Sequence, residues 1–312
     1  MSTSIRADKE QTKILILGAG AVGLSLAALL HEHAIVHAVC REKHITPIRE
    51  RGCILEGIWG EKSIFFSCSM TADEMPDPDI IVLTAKSTET KEIAEQFREI
   101  ITGKPIITLQ NGIGNEEILL EYTPYVYGGN IITGFEWIDN GHIRVSVEGG
   151  PMWVGVYPTG PVDALLTRWH EIISECGIPI SLTTDIRSEI WAKSLYNACL
   201  NPLGAINKVS YGDLQSPHAL AIISEIISEF YAVMEAEGIT LRWESPETYF
   251  SHLCNTLIPA TADHHSSMYQ DLAIGRKTEI DFLNGAIMRI GAKHGMKTPV
   301  NACMTELIRC RE

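Results

Sequence analysis

Long apolar runs are missing from this chain of 312 residues. Its longest N-terminal apolar stretch is broken by glycines and ends at His31-Glu32-His33, short of the roughly 18–20 residues that span a bilayer, so no membrane segment or secretory leader is expected. Paired cysteines are missing too. The eight stand singly at positions 40, 53, 68, 176, 199, 254, 303 and 310, without a Cys-x-x-Cys motif, which points to reduced thiols in a cytoplasmic protein. The His31/His33 and His264-His265 pairs have no third ligand at a convincing spacing, so no metal site is expected. Basic residues are scarce: 25 Lys and Arg against 39 Asp and Glu leave a net charge of −14, which argues against a nucleic acid or an anionic membrane as partner. Serine in a nucleophile-elbow motif is also absent, as are repeats and low-complexity tracts.

What is present is a chain with 45% hydrophobic residues, longer than one core usually organises, so two domains are expected. After a polar, aperiodic leader over residues 1–11, Lys13-Ile14-Leu15-Ile16-Leu17 reads as a strand, Gly18-Ala19-Gly20-Ala21-Val22-Gly23 as a turn, and the alanine- and leucine-rich stretch to His33 as a helix. Runs at 35–40, 79–84 and 105–109 alternate with helical patterns such as 88–100, the signature of a parallel α/β sheet. Short runs at 125–133, 142–147 and 152–156, with Asp139-Asn140-Gly141 between two of them, predict an antiparallel extension of that sheet. Beyond about Asp185 the periodicity is helical to the end. The expected architecture is therefore α/β, a Rossmann-type doubly wound sheet with an antiparallel extension over 1–183, followed by an all-α C-terminal domain over 184–312.

A lone Gly-x-Gly-x-x-Gly is a weak signal, but here it follows a strand and opens a helix, the context of a dinucleotide site. The first glycine permits the turn, the second lets the backbone approach the pyrophosphate, the third packs helix on strand, and helix amides hold the phosphates. Where an NAD site usually carries an acid for the ribose 2′-hydroxyl, this chain has Cys40-Arg41, with Lys43 nearby, which suits the 2′-phosphate of NADP despite Glu42. Lys86 falls at the carboxyl edge of the sheet, as a ligand contact or a surface charge. Asn111-Gly112 is either a hairpin turn or a ligand-facing loop, and the helical pattern after it favours the loop.

In the second domain Lys193, Asn197 and Asn201 recur every four residues along one face of an apolar helix. A buried amide or ammonium without a partner costs about 1–3 kcal/mol or more, so this stripe implies something polar opposite it. Pro202 lacks an N–H and disfavours the helical conformation upstream, so the helix is expected to kink or end near Asn201. Further on, Ile280, Leu283, Ile287 and Ile290 mark the core face of one helix with Thr278 as its N-cap.

With the dense polar stretch from Ser266 to Gly285, these features resemble the ketopantoate reductase (2-dehydropantoate 2-reductase) family. The resemblance runs from the glycine turn through Ala85-Lys86, Gln110-Asn111-Gly112-x-Gly114 and Lys193-x-x-x-Asn197-x-x-x-Asn201-Pro202-Leu203 to Ser266-Ser267-Met268-x-x-Asp271 and Thr278-Glu279-Ile280-Asp281. It implies an NADP-dependent reductase of a small 2-oxo acid, with Lys193 as proton donor and Glu279 as active-site acid. It further implies substrate contacts from Asn111, Asn197, Asn201 and Ser267, and cofactor contacts from residues 18–23, Arg41, Lys86, Asn111, Gly134 and Glu279. Tyr211 departs from the family pattern, which tends to place another substrate-binding asparagine there. The stretch leading to Gly134 is less polar than the family analogy suggests.

Two rivals remain open: a paralogue acting on another 2-oxo acid or an imine, and a non-catalytic NADP sensor, against which the retention of both Lys193 and Glu279 argues. A homodimer through the helical domain is compatible with all of these, and no residue pattern selects a face for it.

Overall fold

A computed structural model describes residues 11–312, so the expected leader lies, but for its last residue, outside the described part. The chain divides into two compact units. One holds the residues up to Ala85, Lys91–Gln110 and Ile118–Thr184; the other holds Lys86–Thr90, Asn111–Glu117 and Asp185–Glu312. The second unit is thus discontinuous in sequence, because two short segments interrupting the first belong with it.

Among the described residues the first unit carries twelve strands: β1 (Lys13–Leu17), β2 (Ile35–Val39), β3 (Cys53–Gly57), β4 (Lys62–Ile64), β5 (Ser67–Ser69), β6 (Ile80–Leu83), β7 (Ile106–Thr108), β8 (Val126–Asn130), β9 (Thr133–Asp139), β10 (His142–Glu148), β11 (Met152–Val156) and β12 (Ile180–Leu182). Eight form one sheet in the order β12-β11-β8-β7-β6-β1-β2-β5. Its centre is parallel, and the residues Ile14 to Leu17 of β1 are fully buried, as a strand covered on both faces requires. The helix Ala21–Leu30 follows β1 directly and buries most of its length.

The antiparallel part takes a different form from the one the runs suggest. β11 does pair antiparallel with β8. β9 and β10, however, leave the main sheet and form a second one in the order β4-β3-β10-β9. Their turn holds Gly141 at φ +68°, and Ile143 and Val145 of β10 are fully buried beside β3, which gives the hairpin its own apolar face. Alternation in one strand specifies a buried face and leaves its partner undetermined.

The second unit is helical. Its helix Ile186–Asn207 starts at Asp185, whose carboxylate accepts the Ser188 N–H at 3.1 Å, and packs Trp191, Leu195, Ala198 and Cys199 into a core with Phe230 and Tyr249. Contrary to expectation it runs past Pro202 for another turn and stops at Lys208, in the left-handed region at φ +58°. Proline there removes the N–H that would have bonded the Ala198 carbonyl. Asn284 supplies the replacement: its Nδ2 donates to Ala198 O at 3.1 Å and also to Asn301 Oδ1 at 3.0 Å. Replacing this side chain, Asn284→Ala, leaves two buried acceptors unsatisfied and relieves only its own partnerless Oδ1. It is therefore expected to cost about 1–3 kcal/mol in urea denaturation, and an unchanged midpoint would show that the carbonyl does not need the amide.

The single helix expected behind Thr278 is likewise two pieces, a 3₁₀ turn Ile280–Phe282 and a helix Asn284–Lys293. The break has a visible cause. A carbonyl at Phe282 inside a continuous helix would be committed to the amide four residues on, but here it accepts the Ile113 N–H at 2.7 Å. Thr278 caps no α-helix; its hydroxyl donates to Glu312 Oε1 at 2.7 Å and accepts from Ile280 N–H at 3.2 Å. Among the described residues no helix is long and apolar enough to cross a membrane.

Candidate active site

In the first unit the three glycines of the turn meet three different requirements. Gly18 sits at φ +68°, and a Cβ there would lie 2.3 Å from Ala85 Cβ. At Gly23 a Cβ would lie 2.3 Å from Thr84 Oγ1, so helix and strand approach too closely for a side chain. A Cβ on Gly20 would meet nothing within 4 Å, which leaves open space in front of the backbone. Gly20 is also the N-cap of the helix Ala21–Leu30, which has neither a side-chain cap nor an acid in its first turn, so the amides of Ala21, Val22 and Gly23 face outward as donors. Open space beside uncapped helix amides, opposite Ala19 whose N–H is spent on Val39 O, fits a pyrophosphate. Arg41 is exposed two residues past β2, at the N-terminus of the helix Glu42–Arg51, while Lys43 stacks its ammonium over Trp137 at 5.3 Å. Gly134 lies within β9 of the four-stranded sheet, paired with Val147.

The second unit assembles a polar cluster around Glu279, which is almost fully buried. One carboxylate oxygen accepts the Ser87 N–H at 3.0 Å and faces the Ser87 hydroxyl at 3.1 Å; the other accepts Asn111 Nδ2 at 3.3 Å and lies 3.7 Å from Lys86 Nζ. Lys86 pairs at 2.7 Å with Asp271, itself buried. Burial alone would lower the Lys86 pKa, but Glu279 and Asp271 outweigh it and the net shift is upward, so this ammonium stays charged. Asp271 moves upward as well, burial exceeding the pull of Lys86. The Ser87 hydroxyl is also 2.5 Å from the Asn111 carbonyl, and Asn115 Nδ2 donates to both at 3.1 Å. Gly112 makes this loop rather than a hairpin: at φ +91° a Cβ would strike the Phe282 backbone at 2.6 Å. Ser87 and Asp271 are members that the motifs did not single out for a role. Ser87 carries no local mark beyond following Lys86, and Asp271 is marked only by standing four residues after Ser267.

Lys193 and Asn197 are half-buried on the helix Ile186–Asn207, and Asn201 is 4% exposed. Burial strips hydration from the Lys193 ammonium and lowers its pKa from 10.5 to about 8, with the charge of Glu279 working in the opposite direction. An amine titrating near neutrality can deliver a proton as well as bind an anion. The Asn197 side chain makes no hydrogen bond to the described residues. Asn201 Oδ1 accepts from the Tyr211 hydroxyl at 2.5 Å, and its backbone carbonyl accepts from Ser266 Oγ at 3.3 Å. Ser266 is the cap of the helix Ser267–Ala273, accepting the Tyr269 N–H at 3.0 Å, and the neighbouring Ser267 hydroxyl has no hydrogen-bond partner among the described residues.

Residues 14–159 match the family model described as "Ketopantoate reductase PanE/ApbA", and residues 185–312 match "Ketopantoate reductase PanE/ApbA C terminal". The chain is 34% identical over 314 residues to the 2-dehydropantoate 2-reductase of Aquifex aeolicus, covering 96% of this chain and 97% of the relative. Among solved structures, a PanE/ApbA family ketopantoate reductase from Ralstonia eutropha superposes with a TM-score of 0.86 at 26% identity, covering 96% of this chain and 98% of that one. A D-mandelate dehydrogenase solved with NADH and anilino(oxo)acetate superposes with a TM-score of 0.87 at 27% identity, with the same coverage.

Proposed function

Because the chain belongs to the ketopantoate reductase family, we propose that it is an oxidoreductase that reduces 2-dehydropantoate to (R)-pantoate with NADPH, a cytoplasmic step of pantothenate and coenzyme A biosynthesis. The observation that carries this reading is Lys193, half-buried on one helix face in line with the amides of Asn197 and Asn201, where burial lowers its pKa to about 8. Reduction of a ketone builds negative charge on its oxygen, and a donor that hands over a proton there lowers the barrier. Bound NADPH supplies the hydride.

Every other part is assigned to side chains. The turn at residues 18–23 holds the pyrophosphate through the uncapped amides of Ala21, Val22 and Gly23, and Arg41 meets the 2′-phosphate. Lys193 protonates the keto oxygen. Asn197 and Asn201 orient the oxo acid, Ser267 offers its hydroxyl to the carboxylate, and Asn111 stands between cofactor and substrate. Glu279 anchors Ser87 and Asn111 and sustains the charge on Lys193. Lys86 and Gly134 complete the cofactor contacts.

A second reading, reduction of a different 2-oxo acid, is favoured by the likeness to the D-mandelate dehydrogenase and by Tyr211. A panel of 2-oxo acids read by NADPH oxidation decides between them. Ketopantoate is expected to show the highest kcat/KM and NADPH to exceed NADH. A higher value for the oxo acid corresponding to D-mandelate would transfer the activity to that class, and no turnover with any of them would leave a cofactor-binding protein without chemistry.

A further inference from the structure

We infer that Tyr211 is a positioning residue for substrate specificity: by occupying the Asn201 amide oxygen it turns the Asn201 amide nitrogen into a dedicated donor for an oxygen of the oxo acid. The inference rests on the proposed reductase function and adds to it a residue and a direction.

Tyr211 is 2% exposed, and its ring stands edge-on to Tyr196 at 5.9 Å between centroids. Burial raises its pKa far above the ordinary value, with Tyr196 adding to the effect, so the group is a neutral phenol carrying one proton. Among the described residues that hydroxyl has a single hydrogen-bond partner, the Asn201 side chain at 2.5 Å. A buried O–H without an acceptor is costly, so the atom facing it is the amide oxygen and the assignment of the two amide atoms is chemically forced. The consequence falls on the other half of the amide. Asn201 Nδ2, on a side chain 4% exposed, donates to nothing among the described residues. Two N–H donors held without a partner in a nearly closed position suit a ligand oxygen, and a 2-oxo acid offers several. An asparagine free to rotate could present oxygen or nitrogen; one pinned by Tyr211 presents nitrogen alone. Tyr211 itself has no proton left to offer a ligand.

The test is a double-substitution cycle on the intact enzyme with saturating NADPH. Tyr211→Phe keeps the ring and removes only the hydroxyl. It is expected to raise KM for the oxo acid about tenfold, with kcat within about threefold and KM for NADPH unchanged, since one oriented hydrogen bond is involved. In the Asn201→Ala background the same change is expected to raise KM less than twofold. An unchanged KM in Tyr211→Phe, or equal effects in both backgrounds, would overturn the inference while leaving the reductase reading intact; a parent chain that turns over no 2-oxo acid overturns both. Asn201→Asp probes the direction without altering Tyr211. A carboxylate in place of the donor is expected to raise KM more than Asn201→Ala does, and a smaller rise would mean that Asn201 presents its oxygen to the substrate.

Discussion

Lys193→Ala is expected to lower the turnover of the oxo acid by roughly 10²–10⁴-fold, the span over which a general acid contributes, while NADPH affinity measured by fluorescence titration changes by less than about twofold. The split between the two follows from where the groups lie. The proposed cofactor contacts at the glycine turn belong to one unit of the chain and Lys193 to the other. Its ammonium is partly buried and held near a pKa of about 8, so it is charged at neutral pH yet releases a proton more readily than an ordinary lysine. Loss of the side chain removes the donor without touching the uncapped amides of Ala21, Val22 and Gly23. Turnover within a few-fold of the parent would dismiss Lys193 as the acid.

The second large effect concerns pH and Glu279. If the protonated amine is the active form, kcat for reduction is full well below pH 8 and falls as pH rises through the Lys193 pKa, approaching tenfold per unit above it. Glu279 raises that pKa through its charge. Glu279→Gln removes the charge but keeps a carbonyl oxygen for the Ser87 N–H, so the alkaline limb is expected to move to lower pH by on the order of one unit. At pH 8 this is expected to cost about fivefold in kcat, with most of that loss recovered on acidification to pH 6. A limb that stays in place, with activity lost equally at every pH, would reduce Glu279 to a fixture for Ser87 and Asn111. Stability measured in parallel keeps the two apart, because a loosened loop lowers the denaturation midpoint at every pH.

Much of the site is legible in the sequence, and the legible parts share one property: they are local. The glycine turn is read from strand, turn and helix within eleven residues at 13–23, and Gly18 and Gly23 stand where a side chain has no room, as the spacing requires. The stripe at 193, 197 and 201 is read from the helical period alone. The surroundings of Glu279 are not local. They join it to Ser87 across 192 positions and to Asn111 across 168, and they join Lys86 to Asp271 across 185. The Pro202 expectation fails for the same reason. The local rule correctly identifies a freed carbonyl at Ala198, but the amide that takes it comes from Asn284, 86 positions away.

By itself, then, the sequence determined the element types, the change from sheet to helix near residue 185, the glycine turn and the spacing of the polar stripe, because each depends on periodicity and backbone sterics over a few residues. Only the tertiary structure decided that β9 and β10 form a sheet of their own, that residues 86–90 and 111–117 belong with the helical unit, that Glu279 gathers Ser87 and Asn111, and which way the Asn201 amide points. Those outcomes depend on which buried donor meets which buried acceptor. That pairing is settled by the cost of leaving either one unsatisfied once the core has closed, and no local pattern records it.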